Sequence, residues 1–204
     1  MLIQKCLRGF TVVELLIVIV VISILATLTT VAYNGVVERS QDAVIASTVE
    51  SYAKAITTYR AKNGRWPLGD TAPSEPKSAC LGSPASYATT YGYLYPGICG
   101  TLGGGSVNTT FNELMAPYIP NPPDLSFMKP MQFTPTQKYA RGIFYSLGCL
   151  PNFCTVDTTP VSDQRVIIAY FVKAGKACAA GTLIPDRPLT GFTMCEYTLQ
   201  PGKP

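Results

Sequence analysis

Residues 1–28 read MLIQKCLRGFTVVELLIVIVVISILATL, and this stretch decides the fold. Its basic leader, which contains Lys5 and Arg8, precedes nineteen residues from Phe10 to Leu28 in which Glu14 is the only charge. This length matches the roughly 20 apolar residues that span a bilayer as an α-helix. Basic residues beside a span stay in the cytoplasm, so the sequence predicts that the rest of the chain lies outside the cytoplasmic membrane.

Three common targeting signals each fail to explain a feature of this stretch. A secretory signal peptide would end in small residues of the A-x-A type, which the sequence around Ala26 matches poorly. A lipoprotein signal would place its cysteine after the apolar run, whereas Cys6 precedes it. A plain signal anchor fits the length but leaves Glu14 unexplained.

The carboxylate of Glu14 needs a partner in apolar surroundings, because a charge inside a membrane helix is costly and is a functional candidate by default. Cleavage after Gly9 would give Phe10 a free ammonium group four residues before Glu14, on the same helical face. Without that cleavage, Glu14 would be a carboxylate that reaches the membrane surface from near the end of the span.

The ten residues GFTVVELLIV, from Gly9 to Val18, resemble the N-terminal signal of type IV prepilins. The shared pattern is a short basic leader, a glycine before the cut, a phenylalanine after it and a glutamate five residues into the mature chain. The resemblance implies that a prepilin peptidase cleaves between Gly9 and Phe10 and methylates the Phe10 amine. It also implies that Glu14 neutralises the amine of a neighbouring subunit during assembly.

Beyond residue 28 the sequence is typical of an amphipathic helix. Ile45, Val49, Tyr52, Ile56 and Tyr59 recur at spacings of 4, 3, 4 and 3, which predicts one apolar stripe packed on a globular head. Gly64 and Pro67 are typical of a helix end, so we expect one helix over residues 10–63.

The end of this helix also resembles that of pilins and pseudopilins, over residues 59–67. Many type IV pilins carry a proline about 22 residues into the mature chain, and Val31 stands at that position. The neighbouring residues weaken helices, which leaves open whether the helix loosens there during assembly: Thr27, Thr29, Thr30, Asn34 and Gly35.

Six of the seven cysteines follow the apolar run, where an oxidising compartment favours three disulfides over a metal site. Six cysteines allow 15 connectivities. Pairing of sequence neighbours closes the shortest loops and is the preferred hypothesis: Cys80–Cys99, Cys149–Cys154 and Cys178–Cys195.

The chain has no histidine, which removes the commonest general base and metal ligand, and we expect neither an enzyme nor a cofactor. Asp157 and Asp163 could bend around calcium, although surface aspartates are the simpler interpretation and no metal is expected. The net charge of +4 is small and dispersed, so nucleic acid is not indicated as a partner.

The head, residues 64–204, is expected to form an antiparallel sheet over the apolar stripe, giving an α+β fold. The segment from Pro67 to Pro130 is rich in loop-forming residues, with a short helix at Phe111–Tyr118. Strands are predicted at Gly142–Leu147, Arg165–Val172 and Phe192–Leu199. With the leader over residues 1–9 and the helix over 10–63, this arrangement is the pilin fold that the resemblance implies.

The expected function is that of a structural subunit in a type IV pilus-like surface filament, assembled through its N-terminal helix after leader cleavage. The implied partners are other pilin subunits, the prepilin peptidase, the assembly machinery and, before assembly, the inner membrane. The protein would end in an extracellular filament. Two alternatives remain open: a minor pilin whose head binds an adhesion ligand or DNA, and a type II secretion pseudopilin.

Overall fold

A computed structural model gives the fold of this protein. It describes residues 11–69, 77–88, 97–99, 105–132, 139–148, 165–189 and 191–200. The chain divides into two compact units, Met1–Asp42 and Ala43–Pro204, and each is described by itself. The long helix α1, Val12–Asn63, contributes residues to both units.

In the first unit, the described part of the chain consists of Thr11 and residues 12–42 of α1. Its apolar side chains pack against no core, and the large ones between Val12 and Val36 whose exposure is described are exposed. The helix continues without interruption through position 31, where many pilins have a proline.

In the second unit, α1 packs on the head through the stripe that the sequence predicts. Ile45, Val49, Tyr52, Ile56 and Tyr59 are all buried in one core cluster with residues of the sheet. The 4-3 spacing therefore produces the contact expected of it. Glu50 and Lys54 lie on the exposed face of the same helix.

The helix ends at Asn63, and the residues after it turn the chain back onto the head. Gly64 has a φ of 71°, a left-handed conformation that glycine adopts without strain, and its amide donates to the carbonyl of Arg60 at 2.8 Å. The Trp66 indole donates to Oε1 of Gln200 at 3.2 Å, which ties the helix end to the last described strand.

Strands of the second unit are β1 Ser78–Leu81, β2 Met131–Gln132, β3 Tyr139–Ala140, β4 Ile143–Leu147, β5 Val166–Lys173, β6 Thr182–Leu189 and β7 Phe192–Gln200. Five of them form an antiparallel sheet in the order β1-β4-β5-β7-β6, and β2 pairs with β3. The result is the predicted α+β architecture, a long N-terminal helix with a C-terminal antiparallel sheet.

Apolar residues are buried on both faces of the sheet, because side chains alternate along each strand. One face packs against α1 and a short helix α2, Thr109–Met115, with Tyr145 and Ile168 among its buried residues. The other face buries Phe144, Phe171 and Met194 in a second cluster. The sheet is therefore the middle layer of the head.

The connection between β5 and β6, residues 174–181, joins two strands that are not neighbours, because β7 lies between them. The Cys178–Cys195 disulfide fastens this connection to β7. The Tyr170 hydroxyl donates to the Ala180 carbonyl at 3.0 Å and accepts from the Ala180 amide at 2.9 Å. The connection is thus fixed to two central strands.

Candidate assembly segment

The first turn of α1 is closed by two side chains that cap each other's backbone. The Thr11 hydroxyl accepts from the Glu14 amide at 3.3 Å, and the Glu14 carboxylate accepts from the Thr11 amide at 2.8 Å. The Thr11 hydroxyl also donates to the same carboxylate oxygen, Oε2, at 2.8 Å. This reciprocal arrangement is a capping box, which satisfies amides that a helix start leaves without partners.

Residues 12–36 of α1 present an apolar surface. Almost all of the exposed large hydrophobic side chains in the described part of the chain lie here, and the one other is Leu183. The most apolar window of 18 residues has a mean hydropathy of 2.8, and α1 is long and apolar enough to cross a membrane. The segment therefore fits lipid or other apolar helices and does not fit water.

The hydroxyl groups within this surface donate back to carbonyls of the same helix. Ser23 donates to Ile19 at 2.7 Å, and Thr29 donates to Leu25 at 2.7 Å. Thr27 and Thr30 make equivalent bonds to the carbonyls three and four residues before them. Polar atoms without partners are costly in an apolar medium, so these bonds suit the segment to burial.

Of the predicted processing and assembly residues, Glu14 alone lies in the part of the chain that the structure describes. Glu14 is in the first helical turn, with its side chain exposed. Gly9 and Phe10 lie outside the described residues, so cleavage between them and methylation of Phe10 stay predictions. The helix is described from Val12, two residues after the expected mature N-terminus.

Two of the three expected disulfides are present in the structure. Cys80–Cys99 has an S–S distance of 2.06 Å, and Cys178–Cys195 has one of 2.12 Å. Cys149 and Cys154 lie outside the described residues, as do Asp157 and Asp163 of the calcium hypothesis.

Sequence reasoning missed Thr11, although a threonine three residues before a glutamate is a known signal of a helix start. It also missed two buried charged side chains of the head. Arg141 is 2% exposed and donates to the carbonyls of Tyr87 and Ile98. Glu196 is 1% exposed and forms an ion pair with Arg165. Nothing in the local sequence separates these charges from ordinary surface residues.

Comparisons with known proteins agree with the geometry of this segment. The family model described as the prokaryotic N-terminal methylation motif matches residues 5–30. The type IV major pilin protein PilE1 of Neisseria gonorrhoeae is 35% identical over 79 residues, which are 39% of this chain and 44% of that protein. A fimbrial protein of Neisseria meningitidis serogroup A is 36% identical over 64 residues, 31% of this chain and 38% of that protein.

The chain thus spans less than half the length of the relatives that it matches. No solved structure matches the chain. The chain therefore carries the N-terminal methylation motif of prokaryotic prepilins, and its exposed apolar helix and disulfide-bonded antiparallel head make it similar to type IV pilins.

Proposed function

We propose that this protein is a structural subunit of a type IV pilus-like surface filament, held in the filament by the N-terminal part of α1. The observation that carries the proposal is the exposed apolar surface of residues 12–36. In the precursor this surface would be covered by the membrane, and in the filament it would be covered by the helices of other subunits. The same contact repeated from subunit to subunit produces an open helical polymer.

Glu14 would contribute a specific contact to this otherwise apolar interface. Both hydrogen bonds from Thr11 go to Oε2, and Oε1 accepts none from the residues that the structure describes. Oε1 is therefore available to the Phe10 ammonium group of a neighbouring subunit. A buried charge is tolerated where an opposite charge pairs with it, so this contact would favour one axial position of the helices.

The head would act by presenting a surface and not by catalysis. Most of its apolar residues in the described part of the chain are buried in two core clusters, one on each face of the sheet. The matched relatives carry the names of pilins and a fimbrial protein, which supports a structural role for this chain as well. After cleavage, the subunit would leave the membrane and become extracellular.

Mass spectrometry of the mature N-terminus and electron microscopy of the cell surface test the proposal together. We expect a chain that begins with N-methylated Phe10, and loss of surface filaments when the gene is deleted. A mature protein that begins at Met1, or after Ala26, would refute the processing and with it the assembly route.

Substitution at Glu14 tests the charge itself. Glu14→Gln keeps a polar side chain of the same size but removes the charge. Glu14→Leu removes both the charge and the polar group. We expect both variants to insert in the membrane and to fail in filament formation. Glu50→Gln is the matched control, because Glu50 is an exposed glutamate of the same helix outside the apolar surface. Normal filaments from Glu14→Gln would show that the charge plays no part.

A further inference from the structure

The β6 edge of the head sheet offers little backbone for pairing. β6 pairs with β7 alone, since it is the last strand of the sheet. Its register with β7 is regular only over Thr182–Ile184 and then shifts before it resumes at Leu189. Pro185 and Pro188 lie in the shifted part, and proline has no amide hydrogen to donate.

At the β1 edge, two further segments, residues 97–99 and 105–107, lie beside the sheet. The Cys80 amide of β1 donates to the Ser106 carbonyl at 2.9 Å, and Ser106 forms an antiparallel bridge with Ile98. The bonds of this bridge are made by residues on either side of Ile98, from Cys99 to Gly105 and from Val107 to Gly97. The carbonyl of Ile98 therefore points outward, where a further strand would bind.

The buried guanidinium group of Arg141 forms a hydrogen bond with that outward carbonyl. Nε of Arg141 donates to the Ile98 carbonyl at 3.0 Å. A second nitrogen of the same side chain donates to the Tyr87 carbonyl at 2.7 Å, and the guanidinium lies 5.6 Å from the centre of the Tyr87 ring. An added strand would have to displace a side chain that is 2% exposed.

We propose that both edges of the head sheet are closed to strand addition, so that neighbouring heads cannot join by β-pairing. The need for such closure rests on the proposed function, because a filament brings many identical heads close together. An open strand edge in that setting is a template for pairing with its neighbours. Register breaks, prolines and inward-pointing charges are the means by which proteins close such edges.

The test gives residues 185 and 188 of β6 the amides that proline lacks. The full chain carrying Pro185→Thr and Pro188→Thr, in detergent micelles, is compared with the unaltered chain by sedimentation velocity at equal protein and detergent concentrations. We expect the double variant to form species of at least twice the mass of the parent. Hydrogen exchange of the amides at 182–189 should slow in those species, because a new strand protects them. Each single variant should associate less than the double variant.

Two further variants separate edge pairing from general loss of solubility. Pro120→Thr, an exposed proline outside any strand, should sediment like the parent. Adding Leu183→Lys to the double variant should restore the parent's behaviour, because a charge on an edge strand opposes pairing. The proposal would be overturned if the double variant and both single variants all sediment like the parent. It would also be overturned if Pro120→Thr associates as much as the double variant does. Because no filament is needed, this outcome is independent of whether the protein forms pili.

Discussion

The carboxylate of Glu14 accepts hydrogen bonds from both the backbone amide and the hydroxyl of Thr11, each 2.8 Å long. Both bonds end on the same carboxylate oxygen, Oε2, so Thr11 determines the direction in which the other oxygen, Oε1, points. Residue 11 is therefore a positioning residue for the contact that we propose for Glu14.

Replacing Thr11 should affect assembly through Glu14. Thr11→Val removes the hydroxyl and weakens the helix start, by about 1 kcal/mol for the loss of such a cap. We expect the yield of sheared surface filaments to fall several-fold for Thr11→Val and to stay near normal for Thr11→Ser, which keeps the hydroxyl. Membrane levels of the precursor serve as the control. Equal yields from the two variants would show that the hydroxyl is not needed.

The ion pair between the buried Glu196 and the exposed Arg165 should be more costly to break than to replace. Glu196 is 1% exposed, and its Oε1 forms the ion pair with Arg165. The same oxygen accepts a hydrogen bond from the Thr198 hydroxyl at 2.8 Å. Arg165→Met leaves the buried carboxylate of Glu196 without its partner, so we expect a lower free energy of unfolding. Adding Glu196→Leu should recover most of that loss. Urea unfolding of Arg165→Met, Glu196→Leu and the double variant measures both effects, and additive losses would contradict this account.

The two described disulfides should differ in their resistance to reductants. Both cysteines of Cys80–Cys99 are buried, whereas Cys178 of the second disulfide is only half-buried. A mild reductant without denaturant should therefore open Cys178–Cys195 first. Differential alkylation followed by peptide mass spectrometry measures the order. Opening of Cys80–Cys99 first, or of both together, would mean that exposure does not control access.

The stability of the head should depend on Asp124 at low pH. Hydrogen bonds from the Ser126 amide and from the hydroxyls of Ser86 and Ser126 lower the pKa of Asp124. The folded state then holds the proton less readily than the unfolded chain. The stabilisation is present above the ordinary aspartate pKa of about 3.9 and is lost as the pH falls through the lowered value.

Thermal unfolding as a function of pH measures this dependence. We expect the melting temperature of the parent to fall relative to that of Asp124→Asn below about pH 4. The difference between the two proteins should be constant at higher pH. A difference that does not change with acid would show that Asp124 titrates alike in the folded and unfolded chain.

The sequence was most informative where one periodic pattern dominated. The apolar run and the 4-3 stripe predicted α1, and the glycine and proline after it predicted its end at Asn63. β4, β5 and β7 follow the predicted strands closely, because their β-branched and aromatic residues are bounded by turn-forming residues. α2 begins at Thr109, two residues before the predicted helix, since Asn108 caps it through the Phe111 amide.

Tertiary contacts decided the elements that were missed. β6 contains two prolines, which argue against a strand except at a sheet edge, and its edge position is not visible in the sequence. β1 has only four residues and lies in a segment that its composition marks as loop. Arg141 and Glu196 became core residues only through partners distant in the chain, which no local pattern reveals.

The central position of β7 has a consequence for the export that we propose. β5 and β6 would emerge from the membrane before β7, they do not pair with each other, and each pairs with β7 in the complete sheet. The sheet could then close only after translocation had delivered β7, which ends at Gln200. Contacts between distant residues form slowly, so we expect the head to fold after translocation. Until then these strands would have unpaired edges, to which a chaperone outside the cytoplasmic membrane could bind.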